Sequence, residues 1–320
     1  MLPSAASDAL HLSTPCFKSV PLTEVLQRPV YLKIDALQPT GSFKLRGVGR
    51  ACQIAVRRGA TRLVSSSGGN AGLAVAYAGQ QIGVPVSVVL PETTPEFIHD
   101  RLRGYGAEVL VRGAQWAEAG AAAEELAGAS GGVLIHPFDD PILWEGHATL
   151  VHEVSESLGG RAPGAIVASV GGGGLLLGVL RGLQDVGWER EVTAVACETE
   201  GANALALSVE AGHQVHLHEI TSIAKSLGSP YPSAALLERC LREPRAVRPW
   251  VCSDRQAVSA CLRFAEDHRI LVEPACGAAL AAVYERSPEL ASAESVLVVV
   301  CGGAIASPRM MEEWREHVGL

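Results

Sequence analysis

Short apolar runs rich in β-branched residues alternate with alanine-rich segments along almost the whole chain, and this alternation limits the possible folds. The runs have the length and composition of buried strands, and the segments between them resemble helices. Strands that alternate with helices form parallel sheets covered by helices. Helices are predicted at residues 70–83, 118–129 and 175–183. Strands are predicted at residues 30–34, 62–66, 86–90, 108–112, 132–136, 165–169, 192–197 and 295–301.

The whole-chain composition excludes several classes of protein. With 320 residues, 48% of them hydrophobic and 19% charged, the chain is expected to be globular with one or two domains. A net charge of −8 argues against nucleic acid or an anionic membrane as a partner. The first twelve residues lack the order of a signal peptide. The eight cysteines form no C-x-x-C pair, which is typical of reduced thiols in a cytoplasmic protein.

Four consecutive glycines, Gly171 to Gly174, follow one predicted strand and precede a predicted helix. This arrangement directs backbone N–H groups and a helix N-terminus at an anion, most naturally a phosphate. The spacing fits neither the dinucleotide fingerprint G-x-G-x-x-G nor the nucleotide P-loop. The alternative is a close strand–helix crossing that requires glycine and binds nothing.

The stretch QPTGSFKLRG, residues 38–47, places Lys44 at the start of a predicted helix. The helix dipole repels a cation at that end. Together with partial burial, the dipole is expected to lower the pKa of the lysine and to favour a neutral, nucleophilic amine. The alternative is an ordinary surface lysine.

The stretch VSSSGGNAGLA, residues 64–74, contains a second junction of strand, loop and helix. Hydroxyl, amide and backbone donors converge there, which suits a carboxylate. A plain helix cap is the alternative. A reactive lysine, a carboxylate site and a site for one phosphate together indicate a pyridoxal phosphate enzyme that acts on amino acids.

Four motifs, GSFKLRG, SSSGGNAG, SVGGGGLLLG and VVVCGG, occur in this order along the chain. They resemble the serine/threonine dehydratases of the tryptophan-synthase-β-like fold, the fold type II pyridoxal phosphate enzymes. The stretches PFDDPILWEGHATL, ITSIAKSLG and LVEPACGAALAAVY resemble the branch of L-serine dehydratases and serine dehydratase-like proteins.

The resemblance implies an α/β fold with two open, twisted, mostly parallel sheets flanked by helices, and a cofactor in the cleft between two domains. The large domain would comprise residues 1–41 and 138–320, and the small domain residues 42–137. It also implies a homodimer.

Residue roles follow from the resemblance. Lys44 matches the Schiff-base lysine, Phe43 the aromatic residue beneath the cofactor ring, and Asn70 the partner of the pyridine 3′-oxygen. Cys301 matches the residue that faces the pyridine nitrogen. The phosphate cradle matches Gly171, Gly172, Gly173, Gly174 and Leu175. The substrate loop matches Ser67, Gly68, Gly69, Asn70 and Ala71. The resemblance also implies a monovalent-cation site, with K⁺ as the candidate ion, which aligns with Glu198, Ala202, Leu227 and Ser229.

Two positions bear on the reaction. A thiol at Cys301 supports a long-lived carbanion poorly, which favours β-elimination over transamination or racemisation. Gly68 stands where many family members have alanine, and its missing methyl group is expected to loosen the positioning of the substrate. Alternatively, glycine is required there for a positive φ angle.

The predicted activity is deamination of L-serine to pyruvate and ammonia, and of L-threonine to 2-oxobutyrate and ammonia. The alternatives are a serine/threonine racemase, a β-replacement enzyme and a cofactor-binding homologue of low activity. One further motif, GHQVHLHE, contains His213, His216 and His218. A polar edge strand is predicted there in preference to a metal site.

Overall fold

The computed structural model describes residues 9–320, so most of the segment used to judge a signal peptide lies outside the described residues. The strands, numbered in chain order, are β1 (Cys16–Lys18), β2 (Val30–Ile34), β3 (Arg62–Ser65), β4 (Val86–Leu90), β5 (Glu108–Val111), β6 (Gly132–Leu134), β7 (Ala165–Ser169), β8 (Thr193–Thr199), β9 (Val247–Cys252) and β10 (Val296–Val300).

The helices comprise α1 (Val20–Leu26), α2 (Lys44–Arg57), α3 (Asn70–Ile82), α4 (Glu96–Gly104), α5 (Trp116–Ser130), α6 (Pro141–Ser157), α7 (Gly174–Asp185), α8 (Ala204–Ala211), α9 (Ala234–Arg242), α10 (Asp254–His268), α11 (Pro274–Tyr284) and α12 (Pro308–His317). Short 3₁₀ helices cover Asp35–Leu37, Lys225–Leu227 and Pro288–Leu290.

The chain divides into two compact units, each with its own sheet. The first unit contains Lys44–Pro137, Gln38–Thr40 and the described residues up to Leu12. Its four strands are all parallel, in the order β5-β4-β3-β6. β4 is buried at every residue, as expected of a strand between covered faces. Helix α5 packs its alanines against β3 and β4.

The second unit contains Ser13–Leu37, Gly41–Phe43 and Phe138–Leu320. Its sheet has the order β1-β2-β10-β7-β8-β9, in which only β1 runs antiparallel to its neighbour. Helix α11 is buried along its whole length and contacts β7, β8, β9 and β10. A helix that is apolar on every side is stable only in such a position.

The α/β fold with two mostly parallel sheets is therefore confirmed. The polar edge strand at residues 213–218 is wrong, because this segment is irregular and its Leu217 N–H donates to the carbonyl of Pro230 in a connecting loop. Among the described residues, no helix has both the length and the apolar character needed to span a membrane.

Candidate active site

Lys44 is the first residue of α2, where the sequence predicted a helix start. Its side chain is half-buried, and its Nζ donates to the carbonyl oxygen of Pro137 at 2.6 Å. The buried face of α2, which includes Leu45, Val48 and Cys52, fixes the helix and packs it against α3. The position of the lysine amine is thus set by the core of the first unit.

The loop between β3 and α3 is held by its own serine hydroxyls. Ser67 N–H donates to Ser65 Oγ, and Gly69 N–H donates to Ser67 Oγ, both at 3.3 Å. Gly69 caps α3 with extended backbone, and Asn70 is the first helical residue, 9% exposed. Ala71 follows it and is buried. The predicted substrate residues therefore lie at one helix N-terminus, which favours a negative charge.

Gly68 does not have the surroundings that the sequence suggested. A methyl group there would lie 3.2 Å from side-chain atoms of Leu90 and Ile98 and 3.3 Å from Thr94. The missing methyl therefore leaves no gap. The positive-φ alternative is also wrong, because Gly68 is absent from the described glycines with positive φ angles.

The glycine run joins the end of β7 to α7 in the second unit. Gly173 caps α7 at a φ angle of 101°, and Gly174 is the first helical residue. Within residues 9–320, the N–H groups of Gly171 through Leu175 donate to no acceptor. Such N–H donors at the positive end of a helix dipole can bind an anion, and we call the segment from Gly171 to Leu175 the glycine loop.

Close packing also surrounds the glycine loop. A Cβ on Gly171 would lie 3.0 Å from the backbone of Leu227. A Cβ on Gly172 would lie 2.4 Å from the ring of Phe138, and one on Gly174 would lie 2.4 Å from the Phe138 carbonyl oxygen. Close packing thus explains why these residues are glycine, and the N–H groups without an acceptor among the described residues are what a bound anion would use.

The donor set of the glycine loop fits a phosphate group. Its five residues carry only hydrogen or apolar side chains, so no carboxylate in the loop competes for the N–H groups. Ser169, which sequence reasoning missed, ends β7 just before the loop. Its Oγ is buried and has no hydrogen-bond partner among the described residues. The sequence did contain a signal for it: a hydroxyl residue at the end of a predicted buried strand, next to the glycine run.

Phe43 and Cys301 are joined by one backbone hydrogen bond, from Phe43 N–H to the Cys301 carbonyl at 3.0 Å. The Phe43 ring centroid lies 5.0 Å from that of the buried His147. The thiol of Cys276 beside it, together with burial, raises the pKa of Cys301 well above the ordinary value. The Cys301 thiol is therefore neutral at physiological pH.

The four candidate cation ligands come from two segments of the second unit, which are joined by a hydrogen bond between Thr199 Oγ1 and Ser222 Oγ. Glu198 is fully buried, and its two oxygens accept the N–H groups of Leu205 and Ala206 at 2.9 and 2.8 Å. Burial raises the pKa of Glu198 to about 8. Glu198 lies in β8, and Ala202 lies in the turn that follows, where its N–H donates to the Thr199 carbonyl. Leu227 and Ser229 lie in a later loop, where Ser229 N–H donates to the Leu227 carbonyl. Among the described residues, no group of three or more His, Cys, Asp or Glu side chains is arranged to bind a metal.

Several known proteins are similar to this chain over nearly its whole length. A serine dehydratase-like protein of Mus musculus is 48% identical, covering 98% of this chain and 96% of that protein. An L-serine dehydratase/L-threonine deaminase of Homo sapiens is 44% identical, covering 98% of both chains. A fungal L-serine ammonia-lyase from Rhizomucor miehei has a TM-score of 0.89 at 38% identity, covering 96% of this chain and 98% of that one.

The model of a family described as "Pyridoxal-phosphate dependent enzyme" matches residues 9–302, which is most of the chain. The chain therefore belongs to the pyridoxal-phosphate dependent enzymes.

Proposed function

We propose that this chain deaminates L-serine and L-threonine by β-elimination, as a pyridoxal phosphate-dependent ammonia-lyase. The observation that carries the proposal is the half-buried Lys44 amine at the start of α2, whose Nζ donates to the carbonyl oxygen of Pro137. The names of the relatives, serine dehydratase-like and L-serine dehydratase/L-threonine deaminase, support this substrate class.

The residues that would hold the cofactor are those matched by the sequence motifs. Lys44 would be the covalent attachment point, and the N–H groups of the glycine loop would bind the phosphate. Phe43 would support the ring, with Asn70 as the partner of the ring oxygen and Cys301 as the residue at the ring nitrogen. When bound, the cofactor withdraws electrons from the substrate Cα and so makes the Cα proton removable.

The chain's own groups then direct the reaction. Ser67, Gly68 and Gly69, with the N-terminus of α3, hold the substrate carboxylate and so orient the bonds at Cα. The Lys44 amine removes the Cα proton as a general base. In the net reaction the proton taken from Cα and the β-hydroxyl group leave as water, and hydrolysis of the resulting enamine consumes one water and gives a keto acid and ammonia.

Cys301 favours elimination over the alternative reactions. Its neutral thiol supplies no negative charge to keep a ring nitrogen protonated, unlike an aspartate in the same position. Racemisation and transamination need negative charge at Cα to be stabilised for longer than elimination does. A neutral partner therefore supports rapid loss of a β-leaving group.

A monovalent cation such as K⁺ is part of the proposal, with Glu198, Ala202, Leu227 and Ser229 as its ligands. Its support is the complete burial of the Glu198 carboxylate, which a cation would stabilise in its charged form. We expect activity to be higher in KCl than in LiCl at equal ionic strength. Glu198→Gln should remove this difference, whereas a wild-type enzyme that is indifferent to the cation would contradict the assignment.

We also propose that the protein is a cytoplasmic homodimer, as the family resemblance implies. All eight cysteines are free thiols, which supports a reducing compartment. Sedimentation equilibrium of the purified protein tests the dimer, and fluorescence imaging of a tagged chain tests the location.

The activity is tested by incubating the cofactor-loaded protein with L-serine, L-threonine and D-serine while keto acid is measured. We expect keto acid from the two L-amino acids. Lys44→Ala should abolish both turnover and the absorbance of the bound cofactor near the visible edge. The matched control is Lys18→Ala, which alters an exposed lysine in β1 and should change neither. Formation of D-serine without keto acid would instead indicate a racemase.

A further inference from the structure

Hydroxyl and carboxylate groups link the end of β8 to residues 220–229, which we call the Leu227 loop. Thr199 Oγ1 and Ser222 Oγ lie 2.8 Å apart, and the two residues are 0% and 1% exposed. Ser222 Oγ donates to Asp254 Oδ1 at 2.6 Å. Ile223 N–H donates to Asp254 Oδ2 at 3.0 Å. Both carboxylate oxygens of Asp254 therefore hold the Leu227 loop.

The Asp254 carboxylate is not needed to cap its own helix. Ser253 caps α10, and a reciprocal capping box joins Ser253 to Gln256. Ser253 Oγ accepts Gln256 N–H at 3.2 Å, while Gln256 Oε1 accepts Ser253 N–H at 2.9 Å. Since this pair already caps the N-terminus of α10, the Asp254 carboxylate is free to hold the Leu227 loop through its hydrogen bonds.

The Leu227 loop in turn lies against the glycine loop. Ala224 N–H donates to Ser222 Oγ at 3.0 Å, and the carbonyl of Ala224 accepts Leu227 N–H at 2.8 Å. These bonds tie the 3₁₀ turn to the buried serine. A Cβ on Gly171 would meet the Cα and carbonyl oxygen of Leu227, each at 3.0 Å. The Leu227 backbone therefore forms one wall of the glycine loop.

We propose that Asp254 is a positioning residue for the phosphate site, acting through Ser222 and the Leu227 loop on Gly171. This rests on the proposed function, because it requires that a phosphate binds the N–H groups of the glycine loop. Five N–H donors can converge on one anion only if the loop backbone is fixed. Without the carboxylate, the Leu227 wall can move away and the donors lose their alignment.

The test compares the dissociation constants of pyridoxal phosphate and pyridoxal, which lacks the phosphate, by absorbance titration. In Asp254→Asn the amide nitrogen cannot accept one of the two hydrogen bonds. We expect pyridoxal phosphate to bind roughly tenfold more weakly, as loss of one hydrogen bond to a charged group implies, and pyridoxal to bind as before.

The matched control is Asp267→Asn, at the opposite end of α10. Asp267 also accepts a hydroxyl, that of Tyr284, at 2.6 Å. This variant should lose stability without any change in the preference for the phosphate. Ser222→Ala removes the hydroxyl group that donates to Asp254. This variant is titrated in place of Asp254→Asn if the latter does not fold. The double variant should bind pyridoxal phosphate about as weakly as the single variant with the larger effect, because both substitutions act through one network.

If Asp254→Asn and Ser222→Ala weaken the binding of pyridoxal phosphate and of pyridoxal by the same factor, Asp254 has a purely structural role and the inference is overturned. A wild-type preference for the phosphate in both variants would overturn it too. If the wild-type chain itself does not bind pyridoxal phosphate, the proposed function fails, and this outcome is distinct from the other two.

Discussion

A Cβ on Gly72 would lie 1.6 Å from the carbonyl oxygen of Ser67 and 2.8 Å from its carbonyl carbon. The first turn of α3 therefore packs directly against the backbone of the loop proposed to hold the substrate carboxylate. Sequence reasoning missed Gly72. The available signal was a glycine near the start of a helix, where it weakens the helix unless close packing requires it.

Gly72→Ala is expected to weaken substrate binding. The methyl group fits only if the Ser67 backbone moves, and such overpacking costs about 1–3 kcal/mol. We expect KM for L-serine and L-threonine to rise together by roughly tenfold, within the range of that cost. Steady-state kinetics and thermal unfolding measure the two effects.

The control for this substitution is Gly120→Ala in α5, where nothing lies within 4 Å of the added methyl group. It should stabilise the protein by about 0.5–1 kcal/mol, the ordinary preference of a helix for alanine, and leave the kinetics unchanged. Wild-type KM values in Gly72→Ala would show that the Ser67 loop does not hold the substrate.

Gly68→Ala is expected to change the activity toward both substrates by the same small factor. Its methyl group would meet side-chain methyl carbons of Leu90, Thr94 and Ile98 at 3.2–3.3 Å. Shifts of a few tenths of an ångström relieve these contacts, so activity should fall by a cost near the lower limit of overpacking, about 1 kcal/mol. The measurement is kcat/KM for L-serine and L-threonine. A gain confined to serine would restore the idea of a gap beside the substrate.

Most strands could be predicted because they are buried on both faces and so read as continuous apolar runs. The eight predicted strands are confirmed, with ends that shift by at most two residues. The two missed strands, β1 and β9, are the edges of the six-stranded sheet. β1 has only three residues, and β9 contains Arg248 and Pro249. Proline is tolerated at an edge but argues against a strand when only sequence is read.

The parts of the candidate site that follow a local rule were also predictable. Lys44, Asn70 and the glycine loop each lie where a helix begins, and residue order alone indicates this. The contact of Leu227 with Gly171 was not predictable, because these residues are far apart in the chain and meet only through the packing of loops. The surroundings of Gly68 were misjudged for the same reason.

The ion pair between Lys33 and Glu153 is expected to be essential for stability. Lys33 Nζ lies 2.5 Å from Glu153 Oε2 and 2.5 Å from the Thr14 carbonyl oxygen, and its side chain is 0% exposed. Glu153→Gln leaves this ammonium group without its counter-charge. Breaking a buried pair in this way costs about 3–5 kcal/mol, measurable by urea unfolding.

Two further variants test whether burial of the ion pair sets this cost. Adding Lys33→Met to Glu153→Gln should recover part of the loss, since no charge then stays buried. Glu313→Gln breaks the exposed pair with Arg309 and should have no measurable effect. Equal losses from the buried and exposed pairs would show that burial does not set the cost.

The buried thiols should make stability fall in alkaline solution. Burial raises the pKa of Cys240 and of Cys252 from 9.0 to about 12. Above pH 9 the unfolded chain loses these protons while the folded chain keeps them, so ionisation favours unfolding. The stabilisation is complete below pH 9 and is lost as the pH rises toward 12, at about 1.4 kcal/mol per pH unit for each thiol.

Cys252→Ala tests this dependence, with urea unfolding measured in reductant at several pH values. At pH 8 the variant should be less stable than the wild type, because the buried side chain has been truncated. That packing loss does not depend on pH, whereas the variant lacks one ionising thiol. Its disadvantage should therefore shrink by about 2 kcal/mol between pH 9 and pH 11, because the unfolded thiol is half ionised at pH 9 and the slope reaches that of one proton only above it. A difference in stability that stays constant over this range would show that the Cys252 thiol ionises as readily in the folded protein as in the unfolded chain.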